Sequence, residues 1–217
     1  MASKSKMVYE LLAEEYPYAR CGLNYVTPFQ LLISTILSAQ ATDRSVNKVT
    51  DELFIQYPDV DSFMQLTQEE IENKIRKIGL YKNKAKSIYN LVRQLKEKFK
   101  GEVPRTMEEL MSLPGVGRKT ASVVLVEAFN IPQFPVDTHV FRVTRRIGIA
   151  TSDTPDKVSD EIMKKLPKKY YHFMHHLLIT HGREVCSAQN PKCEDCCLKA
   201  ICNFNNKKGK KVDAAKK

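Results

Sequence analysis

The stretch that decides the fold is residues 113–121, which read LPGVGRKTA. Apolar residues at helical spacing lie on both sides of it, so it predicts a tight connection between two helices. Gly115 and Gly117 permit backbone conformations and close approaches that other residues do not. The amides after them open the second helix, and outward-pointing N–H groups at a helix N-terminus bind anions. The stretch therefore indicates a phosphate-binding turn, although an ordinary helix–helix turn with glycine caps also explains the glycine spacing.

Lys119 falls in the first turn of the second predicted helix, directly after Arg118. A cation is disfavoured at this end of a helix, and Arg118 adds a like charge, so both effects favour the neutral amine. A neutral amine is the form that attacks as a nucleophile and makes a Schiff base. Position alone, however, favours a lysine that only contacts phosphate.

A single acidic residue, Asp137, stands in the apolar and basic run 135–143, PVDTHVFRV. Its place at the start of the next predicted helix is typical of an N-cap. A carboxylate there can also stabilise a cationic sugar transition state or accept a proton from a nucleophile.

The rest of the chain predicts helices. Thr-Pro pairs at 27–28 and 154–155 are typical helix starts, and Thr67 and Thr106 each precede a glutamate by three residues, as in a capping box. No alternating strand pattern is present, and the β-branched run 123–126 continues the helix that starts near Arg118. We therefore predict an all-α chain.

The formal net charge is +10, which indicates an acidic partner such as nucleic acid. Residues 207–217 hold six lysines and one aspartate, so this stretch, which we predict to be a basic disordered tail, supplies half of the excess. No apolar run approaches the roughly 18 residues of a membrane span, and no secretory signal follows Met1. We expect a cytoplasmic protein, associated with the nucleoid if it is bacterial, with no membrane partner.

Five of the six cysteines lie within residues 186–202, and four of them form the pattern C-x6-C-x2-C-x5-C: Cys186, Cys193, Cys196 and Cys202. Disulfides are not expected without an export signal, so clustered thiols indicate a metal site. Four thiolates suit zinc and iron–sulfur clusters alike, and the spacing does not separate them. The fifth cysteine, Cys197, lies outside the pattern.

Taken together, these motifs resemble the endonuclease III family of helix-hairpin-helix DNA glycosylases. The hairpin carries Lys119, and a VDTH run follows with Asp137 eighteen residues after that lysine. Two further stretches resemble loops of the same family, LSAQATD at 37–43 and IGLY at 78–81. The resemblance implies Lys119 as nucleophile and Asp137 as its carboxylate partner.

The resemblance also implies how the chain meets DNA. Gln40 would fill the gap left by an extruded base, and Leu80 would insert into the base stack. The expected DNA-binding residues are Gln40, Leu80, Gly115, Gly117, Arg118, Thr120 and His139. For the cysteines, the family implies a [4Fe-4S] cluster rather than zinc, with a structural role.

The implied architecture is a two-lobed, all-α helix-hairpin-helix glycosylase fold with a C-terminal iron–sulfur loop. One lobe spans residues 22–132 and ends in the hairpin; residues 1–21 with 133–206 form the cluster lobe. A lesion would enter between them, with Lys119 and Asp137 on opposite sides. The implied activity is that of a bifunctional glycosylase and AP lyase, which we expect to be a monomer. Its substrate would be double-stranded DNA with an oxidised pyrimidine or an abasic site, and it would cleave the strand 3′ to the abasic site by β-elimination.

Three alternatives stay open. A monofunctional adenine-mismatch glycosylase shares the scaffold, but it places a glutamate just before the Gln40 loop, where this chain reads Ser34-Thr35. A non-enzymatic DNA-binding module would use the hairpin alone, and an electron carrier would use the cysteines alone. Two helical clusters are also ambiguous. The histidines at 172, 175 and 176 favour packing over metal binding, and the arginines at 142, 145 and 146 slightly favour DNA phosphate.

Overall fold

The computed structural model describes residues 3–206, so the predicted tail at 207–217 lies outside the described residues. Within 3–206 the regular structure is helical, which confirms the all-α prediction, and no helix there is long and apolar enough to cross a membrane. The elements are α1 (Lys4–Glu15), α2 (Pro28–Leu37), α3 (Asp43–Gln56), α4 (Val60–Met64), α5 (Gln68–Lys74), α6 (Tyr81–Phe99), α7 (Met107–Met111), α8 (Arg118–Phe129), α9 (Thr138–Ile147), α10 (Pro155–Lys165), a 3-10 turn (Lys168–Tyr170) and α11 (Tyr171–Glu184).

Side-chain caps set most of the helix starts. The Thr27 hydroxyl accepts from the Gln30 N–H at the start of α2, with Pro28 in the first turn. Thr67 and Glu70 form a complete capping box at α5, as predicted. At α7 the box is incomplete, because the Glu109 carboxylate accepts from the Thr106 hydroxyl and not from its backbone. Such caps satisfy N–H groups that have no acceptor within the helix.

The described chain separates into two compact units. One runs from Gly22 to Ile131 and contains α2 to α8. Its centre is α2, in which every residue after Pro28 is buried, and α3, α6 and α8 pack around it. The fully buried side chains of this core include Leu31, Leu32, Ile33, Phe63, Ile88 and Leu91.

The second unit combines the residues before Gly22 with those from Pro132 on. Here α11 packs on both α9 and α1. Gly182 permits the close approach of α11 to α9, because a Cβ at this position would lie 3.0 Å from the Cβ of His139. The cysteine segment follows α11, and the buried Leu198 anchors it to this core.

Candidate active site and cysteine cluster

The turn between α7 and α8 is anchored by two buried side chains, Leu113 and Val116. Gly115 has φ +79°, and a Cβ there would lie 2.7 Å from the Cβ of Ser87. Gly117 has an ordinary φ of −93°, and an added Cβ would meet nothing within 4 Å. Only Gly115 is therefore required by the fold itself, whereas the space in front of Gly117 is open.

The N-terminus of α8 carries the predicted nucleophile. Gly117 is the N-cap residue and has no side chain to satisfy the first N–H groups of the helix. Lys119 is exposed in this first turn, and Arg118 and Thr120 beside it are partly buried. Helix N–H groups without side-chain caps attract anions, so the turn combines a phosphate site with an accessible amine.

Asp137 is the N-cap of α9, as predicted, and its Oδ1 accepts from the Val140 N–H at 2.8 Å. Two carbonyl groups shortly before Asp137 are also held: that of Phe134 accepts from the Ser159 hydroxyl at 2.7 Å, and that of Pro135 accepts from Nδ1 of the buried His175 at 2.9 Å. These bonds hold the backbone on which the carboxylate stands. His175 thus supports Asp137 through the backbone, a role that its spacing in the sequence did not indicate.

The predicted arginine row has a structural role at two of its three positions. Arg142 donates to Nδ1 of His139 at 3.1 Å and to the carbonyl groups of Gly182 and Cys186. Arginine has no acceptor, so His139 Nδ1 accepts and its Nε2 carries the proton. Arg146 donates to the carbonyl groups of residues 187–188, at 2.6 and 2.7 Å. Both arginines therefore hold the cysteine segment, and only Arg145 is exposed.

Gln40 and Leu80 share an unusual backbone conformation, which Lys100 and Asn130 adopt as ordinary helix C-caps. Gln40 and Leu80 have the left-handed backbone conformation, with φ values of 55° and 60°. This conformation is unfavourable for residues other than glycine. Gln40 is exposed, and Leu80 is 55% exposed, so Leu80 is not a core residue. Strained, exposed side chains at loop tips are typical of functional positions.

Four cysteines line one concavity, namely Cys186, Cys193, Cys196 and Cys202. Cys197 is not among its lining residues, although it follows Cys196 directly. The spacing-based choice of Cys196 over Cys197 agrees with this arrangement. Four thiols around one concavity form a donor set that fits a metal or iron–sulfur centre.

Two polar groups stand behind the thiols. Arg146 Nη1 lies 3.6 Å from Cys186 Sγ, and His181 Nε2 lies 3.6 Å from Cys196 Sγ. The Tyr16 hydroxyl is 2.9 Å from Nδ1 of the buried His181. When Tyr16 donates to Nδ1, Nε2 carries the proton and points it at the sulfur. Hydrogen bonds from Cys197 and then from His181 lower the pKa of Cys196 to about 4, which favours the thiolate that binds metals.

Tyr16 and His181 are missing from the sequence interpretation for a simple reason. They lie 165 positions apart, so no local spacing relates them. The structural role of Lys84 could not be predicted from the sequence either. In the sequence it is only a basic residue shortly after the IGLY stretch, whereas in the structure its side chain is buried.

Comparisons of the sequence with known proteins point to one family. The family model described as HhH-GPD superfamily base excision DNA repair protein matches residues 33–168. Endonuclease III of Synechocystis sp. is 46% identical over 206 residues, which are 93% of this chain and 94% of that protein. Endonuclease III of Bacillus subtilis is 44% identical over 201 residues, 92% of each chain.

Solved structures of endonuclease III also match this chain closely. A non-covalent endonuclease III–DNA complex superposes with a TM-score of 0.89 at 45% identity, covering 97% of this chain and all of that one. A trapped endonuclease III–DNA covalent intermediate superposes with a TM-score of 0.90 at 44% identity, covering 96% of this chain and all of that one. The chain therefore belongs to the HhH-GPD superfamily of base excision DNA repair proteins and, within it, to the endonuclease III proteins.

Proposed function

We propose that this chain is a bifunctional DNA N-glycosylase and AP lyase that removes oxidised pyrimidines from double-stranded DNA in the cytoplasm. The observation that carries the proposal is the exposed Lys119, in the first turn of a helix whose N-terminus no side chain caps. The similar structures include endonuclease III bound to DNA, and one is a trapped covalent intermediate. Such an intermediate requires a nucleophile, and Lys119 is the residue we assign to that role.

The backbone amides and Lys119 have separate tasks in this proposal. The first N–H groups of α8 bind a DNA phosphate, with the open space at Gly117 admitting the backbone and Arg118 and Thr120 beside it. Lys119 then remains available for the sugar. Gln40 and Leu80 enter the base stack while the damaged nucleotide is extruded, which costs a few kcal/mol and is easiest for a damaged base.

The chemistry begins with attack of the neutral Lys119 amine on C1′ of the extruded nucleotide. The bond from C1′ to the base breaks, and the base leaves with the electron pair and is protonated. One proton then leaves the attached amine, the C1′–O4′ bond breaks with O4′ taking up a proton, and C1′ forms a double bond to the lysine nitrogen, which gives a protonated Schiff base. Removal of a C2′ proton then expels the 3′ phosphate by β-elimination, and hydrolysis of the Schiff base frees the enzyme.

Asp137 is the carboxylate partner in this scheme. It accepts a proton from the attacking amine or stabilises the positive charge that develops on the sugar. Its Oδ1 is held by the Val140 N–H at 2.8 Å. The carboxylate is therefore oriented by one oxygen and can act through the other. His139, two residues later, keeps an Nε2 donor for DNA.

We also propose that Cys186, Cys193, Cys196 and Cys202 hold a [4Fe-4S] cluster, supported by the four thiols around one concavity. When bound, the cluster ties residues 186–202 into a rigid loop, because its ligands would otherwise lie on irregular backbone. Purified protein should be brown, with broad visible absorbance and iron in proportion to protein. A colourless protein that contains zinc would contradict this assignment.

Borohydride trapping tests the function. Wild-type protein mixed with abasic-site or thymine-glycol duplex and borohydride should form a covalent complex, because borohydride reduces the Schiff base. Lys119→Ala should bind the duplex but form no complex. The matched control is Lys98→Ala, which removes an exposed lysine at the far end of α6 and should trap like wild type. Wild-type trapping and cleavage by Lys119→Ala would refute the assignment, and a monofunctional glycosylase would excise a base without being trapped.

A further inference from the structure

The inference concerns how Gln40 and Leu80 are held, and it rests on the function proposed above. Each has a left-handed backbone, each is exposed, and Leu80 begins α6 without a side-chain cap. Loops of this kind relax to less strained conformations unless neighbouring groups hold them. Buried contacts that hold the backbone of these two loops would prevent this relaxation.

Such a contact is made by Lys84, which is only 6% exposed. Its Nζ donates to the carbonyl groups of Leu37, at 2.9 Å, and Ala39, at 2.7 Å. Leu37 is the last residue of α2, and Ala39 immediately precedes Gln40. The backbone N–H of Lys84 donates to the carbonyl group of Leu80 at 3.1 Å. This last bond is the ordinary first-turn bond of α6, so the Lys84 side chain joins the Gln40 loop to the helix that Leu80 caps.

The ammonium is well suited to this position. The last carbonyl groups of a helix have no intrahelical donor, and they form the negative end of the helix dipole, so a buried cation is stabilised there. Burial lowers the pKa of Lys84, and the two carbonyl groups are the acceptors that its ammonium has inside the protein. Lys82 and Lys86, on the same helix, are exposed. Lys84 is therefore a poor phosphate ligand and a good internal brace.

The same helix also supports the hairpin. Ser87, one turn after Lys84, contacts the position where a Cβ of Gly115 would lie. The first two turns of α6 therefore touch three segments that face DNA in the proposed function: the Gln40 loop, Leu80 and the glycine hairpin.

We propose that Lys84 is a positioning residue that holds the Gln40 and Leu80 loops in register, so that both side chains enter the base stack in one step. Lys84 touches neither the lesion nor the reacting atoms. Its removal should impair extrusion of the base and leave binding to undamaged DNA almost intact, because binding depends on the hairpin and surface charge.

The test compares Lys84→Met, Lys84→Arg and Lys86→Met in the full chain. Single-turnover excision of thymine glycol should fall about 10- to 100-fold in Lys84→Met, since small displacements of positioning groups have effects of this size. The affinity of Lys84→Met for undamaged duplex should change less than about twofold. In Lys86→Met, the control, the excision rate and this affinity should both stay within about twofold of wild type. Fluorescence of 2-aminopurine opposite a tetrahydrofuran site, which rises on unstacking, should rise less with Lys84→Met. Lys84→Arg keeps a charged donor and should recover much of the rate.

A mutant cycle separates positioning from general damage. In a Gln40→Ala, Leu80→Ala background the side chains that Lys84 positions are gone, so adding Lys84→Met should slow excision no further. Multiplicative losses would mean that Lys84 acts independently of the loops and would overturn the proposal, as would equal losses in undamaged-DNA binding. If Lys84→Met does not fold, the same cycle is measured with Lys84→Arg, in which the loss of excision rate is smaller. A wild-type protein that does not excise at all would instead refute the proposed function.

Discussion

Replacing Gly115 by alanine separates what the hairpin glycines do for the fold from what they do for DNA. A residue with a Cβ at φ +79° has a conformational energy about 1–2 kcal/mol less favourable than glycine. The new Cβ would also lie 2.7 Å from the Cβ of Ser87. Overpacking of this kind costs about 1–3 kcal/mol. We expect Gly115→Ala to lower the free energy of unfolding by about 3 kcal/mol, which is about 6–12 °C in Tm for a chain of this size.

A double-mutant cycle measured by urea or thermal unfolding tests the cause. Ser87→Gly removes the atoms that the new Cβ meets, at a cost of about 0.5 kcal/mol for a glycine inside α6. If the clash is real, the double variant should be about 1–3 kcal/mol more stable than the sum of the single effects predicts. Additive effects would refute the steric part of the reasoning and leave only the cost of the left-handed backbone.

Gly117→Ala is the matched control. Its backbone is ordinary and its Cβ meets nothing within 4 Å, so it should unfold within about 1 kcal/mol of wild type. It should nevertheless weaken DNA binding, because the methyl group occupies space that the proposal gives to the DNA backbone. If Gly117→Ala is as destabilising as Gly115→Ala, the distinction between the two glycines is wrong.

Three further predictions concern other groups. Asp137→Asn keeps the helix cap, so its free energy of unfolding should lie within about 0.5 kcal/mol of wild type. Because the charge is lost, its single-turnover excision rate should fall about 100-fold. Excision at the wild-type rate would exclude the carboxylate role. Cys197→Ala should retain wild-type iron content and visible absorbance, whereas Cys196→Ala should lose both; the reverse result would exchange their roles. Lys165 and nearby hydroxyl and amide donors lower the pKa of Glu161 from 4.5 to about 2. Stability from this carboxylate is therefore present above its ordinary pKa and lost as the pH falls towards 2. Glu161→Gln should destabilise by about 1–2 kcal/mol at pH 7 and by nothing near pH 2, as thermal melts across that range would show.

Local chemistry predicted the elements well because a cap acts over three or four residues. Thr27 with Pro28, and Thr67 with Glu70, begin helices where the sequence indicates. The same holds for Asp137 at the start of α9. These side chains bond to N–H groups of their own turn, so neighbouring sequence contains all the information needed.

Partners of long side chains were harder to predict. Arg142 and Arg146 have the spacing of a phosphate track, yet they donate to carbonyl groups 40 to 44 positions away, in the last turn of α11 and in the cysteine segment. An arginine row looks the same in sequence whether it faces solvent, DNA or the backbone of another segment. Only the packing of that segment against α9 distinguishes these cases.

The helical class, the hairpin with Lys119, the four-cysteine pattern and the resemblance to endonuclease III could all be predicted from the sequence, because each depends on residue type and short spacing. The folded structure was needed to see that, of the two hairpin glycines, only Gly115 requires its glycine, that Leu80 is exposed and strained, and that Cys197 lies off the lining of the cysteine concavity. It also decided that Lys84 is buried against the end of α2. Burial, backbone strain and hydrogen-bond partners depend on residues that are distant in sequence, so they exist only once the chain has folded.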